Sequence, residues 1–373
     1  QHKVFLFFFI YSFSFGAIFP RIGDMQVQMG VGEGALGLAL VGLPLGVQLA
    51  LFFADKILDF LGFRFAICIG IPTLGISLIS ASLAQEPVGF FFSLIIGGIA
   101  VGIVEVAVNL EADRVEYHID KRIMNRSHSF WSLGFCTAGL FGALFSQVQI
   151  SPTIHFTVSF FAGSLLVLYF SFRYPAAKPR PNSNDKTSTF VVPNKGVLAL
   201  VIFTLSAMLI EGAGIDWSVI FMRDIFGTPA FVNGTALFLG AFAQFLVRYF
   251  ADSIVERYGS ETVARSSIVA MFIGLMIISL TNNPYFALIG FTLMGGGTAV
   301  LFPLAVSAAA QKSDRSAATN VASLAQLSFV VFLLAPPLLG FIAEKFGIRL
   351  SFAICLPLLF LSWFFVFSLK KKV

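Results

Sequence analysis

Apolar runs of about 20 residues recur along the whole chain, parted by short polar or Pro/Gly-bearing breaks. A helix of that length crosses the hydrocarbon of a bilayer, so each run predicts a membrane span. Twelve are predicted, at roughly 4–23, 34–54, 64–84, 88–110, 126–148, 153–172, 196–221, 230–250, 262–281, 284–308, 317–342 and 349–369. The longest polar interval is YPAAKPRPNSNDKTSTFVVPNK, residues 174–195. Its prolines and its Ser, Thr and Asn residues predict an extended linker. It divides the chain into two six-helix bundles, 1–173 and 196–373.

Composition removes the soluble alternative. Of 373 residues 57% are hydrophobic and 12% charged, and 46 are Phe. Soluble domains carry about 25% charged residues, so water would not wet a surface this poor in charge, whereas lipid would. The net charge of +5 does not indicate nucleic acid, because the cations lie between the apolar runs instead of along one face. With an even number of spans and both termini on the cytoplasmic side, all 24 Lys and Arg except Arg21, Arg223, Lys345 and Arg349 fall inside. That is the positive-inside bias of an inner-membrane protein. The first apolar run lacks a small-residue cleavage site and reads as a retained span. Cys68, Cys136 and Cys355 each sit within an apolar run without metal-ligand spacing, and read as packing residues.

Two polar stretches match each other. FADKILDFLGFR and FADSIVERYGSE begin at 53 and 250, 197 positions apart, each between the second and third span of its half. Asp55, Asp59, Gly62 and Arg64 in the first answer to Asp252, Glu256, Arg257 and Gly259 in the second. GGIAVG at 97–102 and GGGTAV at 295–300 also occupy matching places, and GFIAEKFGIR at 340–349 is a further echo. Matched positions in two six-span halves imply parallel repeats.

This arrangement resembles the major facilitator superfamily, whose signature between spans two and three is close to Gly-x-Leu-Ala-Asp-Arg-x-Gly-Arg-Lys. Here the first Gly is Asp in both copies, and Phe60 stands where the first copy would carry Arg. SHSFWSLG (127–134) and EGAGIDW (211–217) resemble a bacterial branch related to the fucose permeases, including YbjJ-type inner-membrane proteins. The resemblance implies an all-α fold of twelve spans as two parallel six-helix repeats. It also implies a cytoplasmic latch in which the loop acid caps a helix and pairs with a cation of the other half. Asp59 precedes span three, where a helix start favours an anion, and Arg114, Lys312 and Arg315 lie on the same side. The plainer reading leaves these charges as solvated loop residues that set topology.

Ionisable residues inside spans are costly and usually line a route or pair with each other. In span four, Gly98, Gly102, Glu105 and Asn109 form one stripe. Helix packing accounts for the glycines but poorly for Glu105, which is a candidate for proton coupling. The carboxylates Glu111, Asp113 and Glu116 that follow read as surface. In span seven Glu211, a candidate for solute or proton binding, and Asp216 differ by about 140° around an ideal helix. Both face one cavity only if Gly212 and Gly214 unwind it; Asp216 and Trp217 read otherwise as an outer gate or interface anchor. Gln244 is expected to face the central cavity, and Arg248 to snorkel or join the latch. Tyr11, Ser14, Gln48, Trp131, Asn109, Asn320 and Gln326 complete the expected solute site. His128 reads as structural.

No P-loop, HExxH or paired-cysteine site appears, so neither ATP hydrolysis nor other enzyme chemistry, metal or cofactor is expected. The expected activity is secondary transport of a small polar, sugar-like solute by alternating access, coupled to protons, by a monomer in contact with lipid and with no nucleic-acid partner. Efflux of drug-like or amphiphilic compounds, and a solute sensor that has lost transport, are the alternatives. An aromatic, polar-poor cavity would favour efflux, and binding without counterflow would favour the sensor.

Overall fold

The computed structural model describes residues 1–121, 123–178, 192–312 and 315–370, without the side chains of Asp55, Asn125, Ala317 and Ala318. The middle of the expected linker, residues 179–191, lies outside that range, as does the Asp55 side chain expected at the gate. Among the described residues twelve helices are long and apolar enough to span a bilayer. They are His2–Met29, Glu33–Leu51, Lys56–Leu83, Pro87–Ile119, Arg126–Gln147, Pro152–Ser171, Lys195–Phe226, Ala230–Tyr258, Ser260–Leu280, Pro284–Ala310, Thr319–Phe346 and Ile348–Leu369, here spans 1–12. Even-to-odd turns gather the Lys and Arg of the loops at one end, the basic end; the other is the far end.

Several spans are interrupted where proline removes a helix donor. Span 10 breaks between Thr298 and Leu301. Pro303 has no N–H for the Ala299 carbonyl, which becomes free to accept elsewhere. Span 2 breaks at Val41, before Pro44, and span 1 tightens into a short 3-10 turn at Phe19–Arg21 around Pro20. The repeat is visible in packing. A Cβ at Gly98 of span 4 would collide with Leu43 and Gly46 of span 2, and one at Gly295 of span 10 with Gly240 of span 8. The glycine stripe of span 4 therefore serves close helix approach, and the second half repeats the device.

The matched polar stretches form matched corners. Gly62 has φ 71° and ψ 165°, Gly259 φ 79° and ψ 152°, Gly347 φ 90° and ψ 148°. These left-handed angles suit glycine alone. Each glycine follows an acid by three residues: Asp59, Glu256 and Glu344. The stretch around Asp59 is helical from Ala54, and Gly62 forms a sharp kink at which two helices meet.

The halves meet through spans 5 and 8 and through spans 2 and 11. Span 11 packs on Glu33–Leu40, the far half of span 2, and scarcely touches Gly42–Leu51 near the basic end. Hydrogen bonds between halves follow the same bias. At the far end Gly34 N donates to Glu344 Oε2 (2.7 Å), Arg223 donates to Gly23 O (3.0 Å) and Gln26 Oε1 (2.8 Å), and Phe231 N donates to Gln147 Oε1 (3.0 Å).

Candidate functional site

Span 7 runs as one helix, Lys195–Phe226, so its glycines do not unwind it. Gly214 instead makes room for Met294 of span 10, and Gly212 faces Phe332 and Ala335 of span 11 at ordinary contact distance. Glu211 then projects toward span 8, where its Oε1 accepts from Gln244 Nε2 (2.7 Å) and Arg248 Nη2 (3.4 Å). Arg248 also donates through Nε to Ala299 O (3.2 Å) and through Nη1 to Ser132 Oγ of span 5 (3.1 Å). This overturns the expectation of a snorkelling or latch arginine. The guanidinium turns inward because Pro303 leaves the Ala299 carbonyl unpaired and Glu211 supplies the opposite charge. Their side chains are only 19% and 16% exposed. Removing one partner of such a buried pair costs about 3–5 kcal/mol, chiefly by stranding the other.

Glu211 borders a cavity between span 5 of the first half and spans 7, 8 and 10 of the second, and Arg248 lies behind it. Trp131, Phe135, Ile215, Leu237, Phe291 and Met294 form most of its wall, and Glu211, Gln244 and Thr298 its polar edge. Trp131 and Phe135 stack at 5.4 Å between centroids with planes 13° apart. Phe135 and Thr298 escaped the sequence reading. Thr298 had a signal in the GGGTAV repeat, whereas Phe135 had none among 46 phenylalanines.

A second carboxylate lies in the first half. Asn109 Nδ2 donates to the Glu105 backbone carbonyl (2.9 Å) and to its Oε1 (2.8 Å), and the Tyr11 hydroxyl engages the same carboxylate. Tyr11 is 2% exposed. No ion pair to Glu105 exists among the described residues. Thus Glu211 has an arginine, while Glu105 has only neutral donors.

Other expected residues lie elsewhere. Ser14 is buried, donates to Ile10 O (2.9 Å) in its own helix and packs against Gly163 of span 6, so it does not face the cavity. Asn320 is fully buried and donates to Lys312 O (3.4 Å) near the basic end. Gln48 and Gln326 are half-buried on spans 2 and 11, away from the cavity wall. Asp216 is half-buried and makes no hydrogen bond or ion pair among the described residues. Trp217 is fully buried against Gly340 of span 11, which excludes it as an interface anchor. His128 stacks edge-on against Phe8 (5.3 Å).

Glu111 is not a surface residue. It is 1% exposed and accepts from Tyr174 Oη and Ala177 N, each at 2.8 Å, because the chain after span 6 folds back over span 4. Burial, and then the adjacent carboxylate, pushes the Tyr174 phenol above its ordinary pKa. Glu116 accepts from Ile123 N (2.7 Å) and Met124 N (3.0 Å) at the start of span 5, as an acid capping a helix N-terminus should.

At the basic end Asp59 and Glu256 are exposed and make no hydrogen bond or ion pair among the described residues. Arg64 is exposed, Arg114 is half-buried near Glu111, and Arg257 lies over the Tyr258 ring (5.3 Å).

The sequence profile of the Major Facilitator Superfamily matches residues 4–328 and again 199–373. The chain belongs to the Major Facilitator Superfamily. It is 30% identical over 336 residues to the transporter y4wD of Sinorhizobium fredii, covering 90% of this chain and 88% of that one. Against an MFS-type transporter of Yersinia pestis it is 26% identical, covering 95% and 91%. Against the membrane protein MosC of Rhizobium meliloti it is 24% identical, covering 91% and 83%. Among solved structures it superposes on a point mutant of the nucleoside transporter NupG with a TM-score of 0.80, 15% identity and 99% of both chains covered. On a bacterial homologue of the human lysosomal transporter Spinster, in an inward-facing and occupied conformation, the TM-score is 0.69 at 15% identity, with 100% and 96% covered. These superpositions establish the fold. The protein is a multi-pass membrane transporter of this superfamily, not an enzyme.

Proposed function

We propose that this transporter carries a small polar, sugar-like solute across the bacterial inner membrane by alternating access, acting as a monomer and coupled to protons. The carrying observation is the contrast between two of the carboxylates within the spans, Glu211 and Glu105. Glu211 is balanced by Arg248. Glu105 has only Asn109 and Tyr11, and a desolvated carboxylate without a cation is the group best placed to take up and release a proton. The fucose-permease-like text around Trp131 and Glu211 supports a hydroxylated solute.

The basic end belongs in the cytoplasm by the distribution of Lys and Arg. In that orientation the far end, joined by hydrogen bonds between the halves, would be the closed outer end. Asp59 and Glu256, with Arg114 and Arg257 at the same end of the molecule, are the groups that would join the halves when the basic end closes. The aromatic wall of the cavity supports a second reading, efflux of amphiphilic compounds.

The test is uptake of labelled sugars and amphiphiles into proteoliposomes under an imposed pH gradient. Sugar accumulation should follow the gradient in the wild type, and in Glu105→Gln it should lose that dependence while binding persists. Accumulation by the wild type that ignores the gradient, together with an unimpaired Glu105→Gln variant, would sink proton coupling. Gradient-driven movement of the amphiphiles alone would favour efflux.

A further inference from the structure

The cavity's hydrogen-bonding capacity is one-sided. Its polar lining consists of Glu211, Gln244 and Thr298. An ionised carboxylate only accepts, so Gln244 must turn its amide N–H toward Glu211, as it does at 2.7 Å. The same nitrogen reaches Thr298 Oγ1 (3.4 Å), whose own proton goes to Gly295 O (2.9 Å). Behind them Arg248 donates within the protein from each of its three nitrogens. Trp131 lines the wall with its ring, and its Nε1 is buried without a hydrogen-bond partner among the described residues. What remains is Glu211 Oε2 and Gln244 Oε1. Both are acceptors, and neither takes a hydrogen bond among the described residues.

We infer that the site selects an uncharged or cationic solute bearing hydrogen-bond donors on one edge and an apolar ring face toward Trp131, and that it rejects carboxylates and phosphates. This deepens the transport reading and rests on it for the solute's route. A hydroxyl or amine satisfies both open acceptors. An anion would set its oxygens against them, and Arg248, already balanced by Glu211, leaves no net positive charge to attract it. A mismatch of this kind weakens binding on the order of 10- to 100-fold.

The experiment measures binding by thermal shift of the purified protein in nanodiscs, with matched probes: glucose and glucuronate, adenosine and adenosine 5′-monophosphate. A neutral member should raise Tm at concentrations where its anionic partner does not. Glu211→Gln, which exchanges an open acceptor for a donor-bearing amide, should weaken that neutral probe at least roughly tenfold while staying folded and monodisperse. Gln244→Leu, which removes the other acceptor without adding charge, should weaken it as well. Tighter binding of either anion, or no response to either neutral probe, overturns the inference. Binding is read without a gradient, so a failure of transport leaves it standing, and anion uptake would overturn it without touching the transport reading.

Discussion

The same corner, an acid three residues before a left-handed glycine, appears at both ends of the molecule in opposite conditions. At the far end Glu344 reaches across to the other half and accepts from Gly34 N at the start of span 2, where the helix N-terminus favours a negative charge. Gly32 and Gly34 make the seat, since a Cβ at either would press on the carboxylate. At the basic end Asp59 and Glu256 bend the chain in the same way yet stand exposed. The corner geometry is therefore local, and engagement depends on whether the other half offers a helix end. The proposed alternating access would use that property, with matched acids holding one end at a time.

Three substitutions sharpen this contrast. All are read by the distance between spin labels at Leu83 and Leu280, which end spans 3 and 9 at the far end in the two halves and are exposed. Glu344→Lys should have the largest effect, because it removes an anion from a helix N-terminus and puts a cation there. A loss of about 2 kcal/mol should raise the far-end-open population roughly 30-fold. Gly34→Ala, which places a methyl group against the Glu344 carboxylate, should cost about 1 kcal/mol and shift the population roughly fivefold. Asp59→Asn should leave the far-end distance unchanged, within about 0.5 kcal/mol, as for a solvated surface residue. If it opens the far end as much as Glu344→Lys, the two ends are not independent latches.

Much of this was legible beforehand. The twelve apolar runs became twelve spans, several of them longer than predicted by up to nine residues at one end, because hydrocarbon thickness sets the minimum helix length and a helix satisfies its own backbone. Gly62 and Gly259 were legible as a repeat because few residues tolerate their backbone angles. Glu211, Gln244 and Glu105 stood out as polar groups in apolar helices; Glu211 and Gln244 line the cavity, whereas Glu105 lies on span 4 beside Asn109. Arg248 was misread for a reason outside its own helix: its partners are a carboxylate on span 7, a hydroxyl on span 5 and a carbonyl released by Pro303 on span 10. That proline, four residues after Ala299, was the one available hint. Ser14 failed for the complementary reason, since its side of span 1 turns toward span 6. Glu111 failed because the chain after span 6 folds over it.

By itself the sequence determined the number and length of the helices, their duplication and the bends between them, all set by interactions within a turn or two of chain or with the bilayer. Only the tertiary structure decided which carboxylate receives an arginine, which acid is latched and which face of each helix sees the cavity. Those choices turn on helix rotation and on donors contributed by segments more than a hundred residues away, such as Gly34 to Glu344 or Arg248 to Ser132, and no local pattern along the chain records them.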